Sequence, residues 1–350
     1  MQRVTTICYK TLDESTPICF DAYLRPEILN SKPHDAKLAA VVYFHAGGLS
    51  VGNKTSWFPK WLCERVLELG LVFISVDYQL MPPASGYDMV KDIQDLITFL
   101  ANNEITGLER PVRINPDRIA VSGTSGGGLC VYLAAMHCSP RPRALFSLYG
   151  MGGNFLIPHY FKPKSDVFFR GRELLDAADF SEFTHPFKNG PLSPVVDSPL
   201  SYYPQTNDKP GYPANPRMLL PRLYLQQGLW LDYYTQAHSP SLSESLLWAS
   251  GKSSEKLDDV IPSEYRALFP QLHVDKSWPA TLLFHGTSDT AVPIEESRHL
   301  KTLLEKAKVP VQLLEFEGQE HAFDYEPNSE EMYSAQFHLA AEFLRDRLAN

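Results

Sequence analysis

The stretch Val121-Ser122-Gly123-Thr124-Ser125-Gly126-Gly127-Gly128 leaves this chain few ways to fold. It follows the run Arg118-Ile119-Ala120-Val121 and precedes the apolar residues 129–135, so the order reads as strand, tight corner and helix. The glycines flanking Ser125 fit a corner at which a Cβ would collide with a neighbouring strand or helix. Residues 123–127 have the G-x-S-x-G spacing, which puts the serine on a sharp turn with its Oγ aimed away from the sheet. A phosphate held at the helix N-terminus is the competing reading. No Lys-Ser/Thr pair follows and no G-x-G-x-x-G is present, so the corner lacks the rest of a phosphate-binding loop.

Strands alternating with helices surround this corner. Residues 4–12 and 18–25 read as a hairpin across 13–17, and Leu38 to Phe44 as a strand buried on both faces. Trp57 to Leu69 has helical spacing, 71–78 reads as a strand and Tyr87 to Leu100 as a helix. Asn115-Pro116-Asp117 leads into the corner strand, and 144–150 supplies the next one. The rhythm stops from Met151 to about Trp278, which holds 14 of the 28 prolines and many aromatics. So aromatic a segment is ordered, with helix-like pieces near 219–236, 241–250 and 263–269. Alternation resumes with strand 280–286, helix 294–307, strand 311–316 and a long helix from about 330 to 348. The chain therefore reads as an α/β fold with a mostly parallel sheet, its core at 1–150 and 279–350, and a partly helical cap or lid insertion at 151–278.

A serine nucleophile on such a sheet needs an acid and then a base, in that order, on loops after the last strands. Asp289 follows one late strand and His321 the final one. Glu295 and Glu317 compete for the acid role, and His45, His285 and His299 also lie near element ends. Negative charge developing on a carbonyl oxygen calls for fixed backbone N–H groups. His45-Ala46-Gly47-Gly48 after a strand, and Gly126 just past the serine, can supply them.

Several classes drop out on composition. A net charge of -9 without a Lys/Arg cluster argues against nucleic acid or an anionic membrane as partner. The N-terminal residues lack an apolar signal-like region and no run approaches a membrane span, so a cytoplasmic protein is expected. Five cysteines without a C-x-x-C argue against a disulfide framework or a metal site, and Cys130 and Cys138 read as buried small hydrophobes. No cofactor is expected, and the oligomeric state stays open, a homodimer included.

The motifs resemble those of the hormone-sensitive-lipase-like carboxylesterases, the α/β-hydrolase-3 type, and most of all the intracellular fungal-type members. His45-Ala46-Gly47-Gly48 is similar to the H-G-G-G of that family, Gly123-Thr124-Ser125-Gly126-Gly127 to its G-[DT]-S-A-G, and Asp77-Tyr78-Gln79-Leu80-Met81-Pro82 to its D-Y-R-L-A-P. Gly286-Thr287-Ser288-Asp289 and Glu320-His321-Ala322-Phe323 look like its acid and base loops. The resemblance implies an α/β-hydrolase fold with Ser125 as nucleophile, Asp289 and His321 as its partners, and Gly47, Gly48 and Gly126 as the oxyanion hole. Ala46 stands where the family has glycine, which restricts the loop, and Gln79 where it has arginine, whose anchoring must be met otherwise. His45 comes early and the gap from Ser125 to Asp289 is long, so cap material has moved into 151–278.

The expected function is a serine hydrolase of a small, fairly apolar carboxylic ester or thioester. A trans-acting thioesterase, acyltransferase or cyclase of polyketide-type secondary metabolism would use the same residues. So would a serine peptidase, since Gly286 to Pro293 also resembles the acid loop of prolyl-oligopeptidase-type enzymes. A non-catalytic ligand-binding protein on the same fold is the remaining option.

Overall fold

The computed structural model describes residues 3–349 except 14, 32, 34 and 253–255. The strands are β1 (Arg3–Leu12), β2 (Thr16–Leu24), β3 (Lys37–Phe44), β4 (Val72–Val76), β5 (Glu104–Ile105), β6 (Val112–Thr124), β7 (Ala144–Leu148), β8 (Ala280–Gly286) and β9 (Val311–Phe316). They form one sheet in the order β1-β2-β4-β3-β6-β7-β8-β9, with β5 added to β6. The β1–β2 hairpin is antiparallel and sits at an edge; of its 13–17 turn, residue 14 lies outside the described residues. β2 also runs against β4, whereas the neighbours from β4 through β3, β6, β7 and β8 to β9 are parallel. The expected mostly parallel α/β sheet is therefore what the chain builds.

Its two faces follow from the period of two. In β3, Leu38, Ala40, Val42 and Phe44 join one core, while Ala39, Val41 and Tyr43 join the other. The helices include α1 (Lys60–Glu68), α2 (Gly86–Asn102), α3 (Gly126–His137), α4 (Leu220–Gln227), α5 (Trp230–Thr235), α6 (Glu295–Lys306) and α7 (Ser334–Leu348), with shorter ones between them and Leu242–Ser250 in the 151–278 segment. Trp61 and Leu62 of α1 pack with Phe337 and Leu344 of α7 under one face. Leu96 of α2, Leu129 of α3 and Leu300 of α6 cover the other. Ser85 and Asp88 start α2 with reciprocal hydrogen bonds between side chain and backbone, satisfying N–H groups a first turn leaves free.

Element ends depart from the sequence reading where proline or left-handed backbone intervenes. The helix expected from Trp57 begins only at Lys60, because Trp57 has φ +44 and Pro59 sets the cap. Strand β6 runs through Asn115-Pro116-Asp117, with residues 115–118 bulging out between the Leu38–Ile114 and Ala40–Ile119 pairs. The 219–236 piece is two helices broken at Gly228, whose φ of +69 closes α4. The 263–269 piece is only a 3-10 turn, Arg266–Leu268; Phe269 precedes Pro270 and takes an extended ψ of 93. The last helix splits at Tyr333 into Ser329–Met332 and α7.

Residues 151–278 leave the sheet after β7 and return at β8. Arg217 holds them to the strand loops, its Nε donating to Ser50 O (2.8 Å) and its guanidinium to Pro82 O (2.7 Å). Gly52 and Ser198 exchange backbone hydrogen bonds at 2.8 and 3.1 Å. Among the described residues, no helix is long and apolar enough to cross a membrane.

Candidate active site

Ser125 occupies the corner between β6 and α3 with φ 55 and ψ -120. A non-glycine residue there costs about 1–3 kcal/mol, which the surroundings must impose. They do so through its N–H, donated to Leu148 O (3.1 Å), and its carbonyl, which accepts from Gly128 N (3.0 Å) and Met151 N (3.1 Å). The glycines behave as the sequence requires. A Cβ on Gly123 would lie 2.3 Å from Gly127 O, and one on Gly127 would lie 2.1 Å from Phe44 O.

The structure brings Ser125, His321 and Asp289 together. His321 Nε2 is 2.9 Å from Ser125 Oγ and its Nδ1 is 2.7 Å from Asp289 Oδ2. All three residues are buried to within a tenth of full exposure. Burial would raise the Asp289 carboxyl, but the facing His321 and His285 outweigh it and hold the group well below the usual carboxylate range. An ionised Asp289 only accepts, so His321 Nδ1 carries the proton and Nε2 keeps a lone pair toward the serine hydroxyl. Glu295 and Glu317, the rival acids, are exposed and do not contact His321.

His285 has a different place from that of a base. Its Nε2 donates to Val292 O (2.8 Å) and lies 3.3 Å from Asp289 Oδ2, while Ser297 Oγ is 2.7 Å from Nδ1. Together with the N–H groups of Ala291 (2.9 Å) and Val292 (2.8 Å) on Oδ1, it fixes the carboxylate, lying beside the same Oδ2 that faces His321. Its i to i+4 spacing to Asp289 across a strand-end loop was the available signal. His45 is buried, stacked on Tyr78 with centroids 4.4 Å apart, and burial pushes it down to about 4, so it stays neutral. His299 is half-buried on α6, where burial also lowers it.

The 45–49 loop turns through positive φ at Gly47 (+115), Gly48 (+54) and Leu49 (+64). Ala46 is outside that left-handed run, so its Cβ fits without the restriction the sequence raised. The amides of Gly48 and Leu49 reach Gly126: a Cβ there would lie 2.9 and 2.8 Å from them. Among the described residues the Gly47 and Gly48 N–H groups meet no acceptor in the protein. The missing arginine at Gln79 is answered from far away in sequence. Buried Asp92 accepts from Gln79 N (2.8 Å) and Nε2 (3.1 Å), and Lys10 of β1 supplies the cation, its Nζ 2.7 Å from Asp92 Oδ1.

Two further carboxyl groups brace the site without any motif to announce them. Asp324 accepts from Tyr149 OH (2.5 Å) and Trp61 Nε1 (3.1 Å), and the Tyr149 ring packs edge-on against His321 at 4.6 Å. Glu296 of α6 is fully buried, accepts from Gly152 N (2.6 Å) and Gly153 N (3.1 Å), and is hydrogen-bonded to Tyr160. It thereby fixes the exit of the chain from β7, next to Met151 and Ser125. A cavity of about 260 Å³ opens over Ser125 and His321, walled by core residues such as Gly47 and Tyr149 and by inserted residues such as Phe169, Tyr212 and Trp230. Among the described residues no group of three His, Cys, Asp or Glu side chains is placed to hold a metal ion.

Residues 41–201 match the family model of the α/β-hydrolase fold, type 3, and residues 230–347 match that of the prolyl oligopeptidase family. The chain has the α/β-hydrolase fold. The H-A-G-G, D-Y-Q-L and G-T-S-G-G motifs of this α/β-hydrolase fall in the first match, and Asp289 and His321 in the second. A probable carboxylesterase M8 of Phoma sp. is 32% identical over 116 residues, 31% of this chain and 36% of that protein. The non-reducing polyketide synthase ausA of Emericella nidulans is 25% identical over 342 residues, 92% of this chain but 13% of the synthase. The chain thus spans well under half of either relative. Among solved structures, esterase 2 of Thermogutta terrifontis is alike in fold, with a TM-score of 0.58 at 18% identity over 98% of this chain and 94% of that one.

Proposed function

We propose that this α/β-hydrolase cleaves a carboxylic ester or thioester of a fairly apolar small molecule through an acyl-enzyme on Ser125. The observation that carries the reading is the unbroken hydrogen-bond line from Asp289 through His321 to Ser125 Oγ, ending at the floor of the cavity. Ser125 Oγ attacks the acyl carbonyl as its proton passes to His321 Nε2. The oxyanion is held by N–H groups of Gly47, Gly48 and Gly126, each worth about 3–4 kcal/mol in the transition state. His321 gives its proton to the leaving alcohol or thiol, then takes one from a water that attacks the acyl-enzyme, and Ser125 is restored.

Residues 1–150 and 279–350 form the catalytic core in this reading, and 151–278 act as the cap that sets substrate size. Its aromatic contribution to the cavity wall favours an apolar acyl group. A second reading has support of its own. The alignment to the polyketide synthase runs along 92% of this chain, against 31% for the carboxylesterase, which favours a thioesterase, acyltransferase or cyclase acting on a polyketide-type acyl group. Both readings predict the same acyl-enzyme and differ in the acceptor.

The test is turnover of p-nitrophenyl esters from acetate to decanoate, and of the matching N-acetylcysteamine thioesters, with products identified by mass. Release of p-nitrophenol with a chain-length optimum is expected, and free acid as product identifies water as the acceptor. No turnover of any ester or thioester contradicts the proposed activity, and faster cleavage of peptide p-nitroanilides than of any ester would move it to peptide bonds.

A further inference from the structure

The cavity and the chain carry opposite charge. The sequence has a formal net charge of -9, yet the wall over Ser125 includes Arg170, Arg172 and Arg222 and no Asp or Glu. All three arginines come from the inserted segment. Nothing in the proposed acyl transfer uses them.

Arg222 is the most informative of the three. It follows Pro221 on α4, and Pro221 is what a Cβ on Gly48 would strike, at 2.5 Å, so this start of α4 lies beside the 45–49 loop. Its side chain is only 5% exposed. One nitrogen reaches Glu173 Oε1 at 3.3 Å, but Glu173 is itself 59% exposed and also accepts from Tyr212 OH at 3.2 Å. The Nε–H of Arg222 is buried and has no hydrogen-bond partner. A buried charged donor left unsatisfied costs free energy that a ligand acceptor would recover.

The other two lie nearer the solvent. Arg170 has its Nε 3.9 Å from Glu320 Oε2, and Glu320 is already committed to Thr290 and to the backbone N–H of His321. Arg172 is exposed and makes no ion pair among the described residues. A planar guanidinium pairs two N–H groups with two oxygens of a carboxylate or phosphate, which suits a fixed oxyanion better than a diffuse negative surface.

We propose that Arg170, Arg172 and Arg222 form an anion subsite of the acyl-transfer cavity, so that the substrate is an ester or thioester with an apolar body and a carboxylate or phosphate group. The inference rests on the Ser125 acyl-enzyme reading and adds the substrate class to it. The anion is either a carboxylate on the acyl part or a phosphate on the leaving group. In both cases its oxygens pair with the guanidinium groups of Arg222 and Arg172, while the aromatic wall takes the hydrocarbon.

Two matched substrate pairs test this. One is 4-nitrophenyl hexanoate against mono-4-nitrophenyl adipate, with the charge on the acyl part. The other is hexanoyl-N-acetylcysteamine against hexanoyl-coenzyme A, with phosphates on the leaving group. At low ionic strength kcat/KM for the charged member of one pair is expected to exceed that of its neutral partner by about tenfold or more, and the excess to shrink with added salt. The pair that shows the excess identifies the source of the anion. In Arg222→Met and in Arg172→Gln the ratio falls toward one; the second variant changes an exposed residue and keeps the test valid where the first impairs folding. Equal rates in both pairs, or a preference that neither variant moves, overturns the subsite while leaving the acyl-enzyme reading intact. No turnover of any of the four substrates by the unmodified protein overturns both.

Discussion

Asp289→Asn is expected to lower kcat by about 10⁴-fold while the protein remains folded. The reason is a conflict of donors. In the native site Oδ1 accepts two backbone N–H groups, from Ala291 and Val292, and Oδ2 accepts from His321 Nδ1 and lies 3.3 Å from His285 Nε2. Asparagine has one oxygen and one NH₂ for these four donors. Keeping the oxygen on the two backbone amides turns the NH₂ toward His321, which must then carry its proton on Nε2 and present Nδ1 as acceptor. That tautomer has no lone pair for the Ser125 hydroxyl. The opposite flip sets NH₂ against two fixed N–H groups, which is worse. Steady-state kinetics beside a thermal melt separate this outcome from unfolding, and a near-normal rate would move the acid role away from Asp289.

Glu296→Gln is expected to remove a loss of stability that the unmodified protein suffers between about pH 5 and pH 8. Burial pushes the Glu296 carboxyl up from 4.5 to about 8, against the lowering effect of Tyr160 and the Gly152, Asn154 and Gly153 amides. In the unfolded chain the group ionises near its ordinary value, so within this window the unfolded state holds fewer protons than the native one. Stability from this group is therefore complete below about pH 4.5, falls by roughly 1.4 kcal/mol per pH unit through the window and levels off above pH 8. The total is on the order of 5 kcal/mol. Glutamine keeps an oxygen for the backbone amides and an NH₂ for Tyr160, and it does not titrate. Urea midpoints of both proteins at pH 5.5 and 8.5 provide the check. The variant should lose much less between the two; equal losses would contradict a protonated Glu296 in the native state.

The parts of the site legible in the sequence are those set by local constraint or chain order. Gly123 and Gly127 have no room for a Cβ, so the G-x-S-x-G spacing carries the geometry of its own corner. Asp289 and His321 are found because loops after successive parallel strands share one end of the sheet. What escaped the sequence depends on partners far along the chain. Lys10 and Asp92 are 82 residues apart, and Tyr149 and Asp324 are 175 apart, so neither pair leaves a spacing to recognise. Glu296 looks like any first-turn glutamate until the fold folds Gly152 and Gly153 onto it. The inserted segment was recognised by the end of the α/β rhythm, and its 241–250 piece is the helix Leu242–Ser250, but the breaks within the other two pieces were not legible. Gly228 and Pro270 cut the apolar runs at 219–236 and 263–269 into short pieces whose direction is set by packing on the core rather than by propensity.

The most direct test of the central claim is the intact mass of the protein after incubation with a fluorophosphonate, beside the Ser125→Ala variant. A single covalent adduct on the unmodified protein and none on Ser125→Ala, together with a loss of ester turnover in the variant on the order of 10⁶-fold, is the expected result. An adduct that persists in Ser125→Ala, or ester turnover that survives the substitution, would contradict Ser125 as the nucleophile.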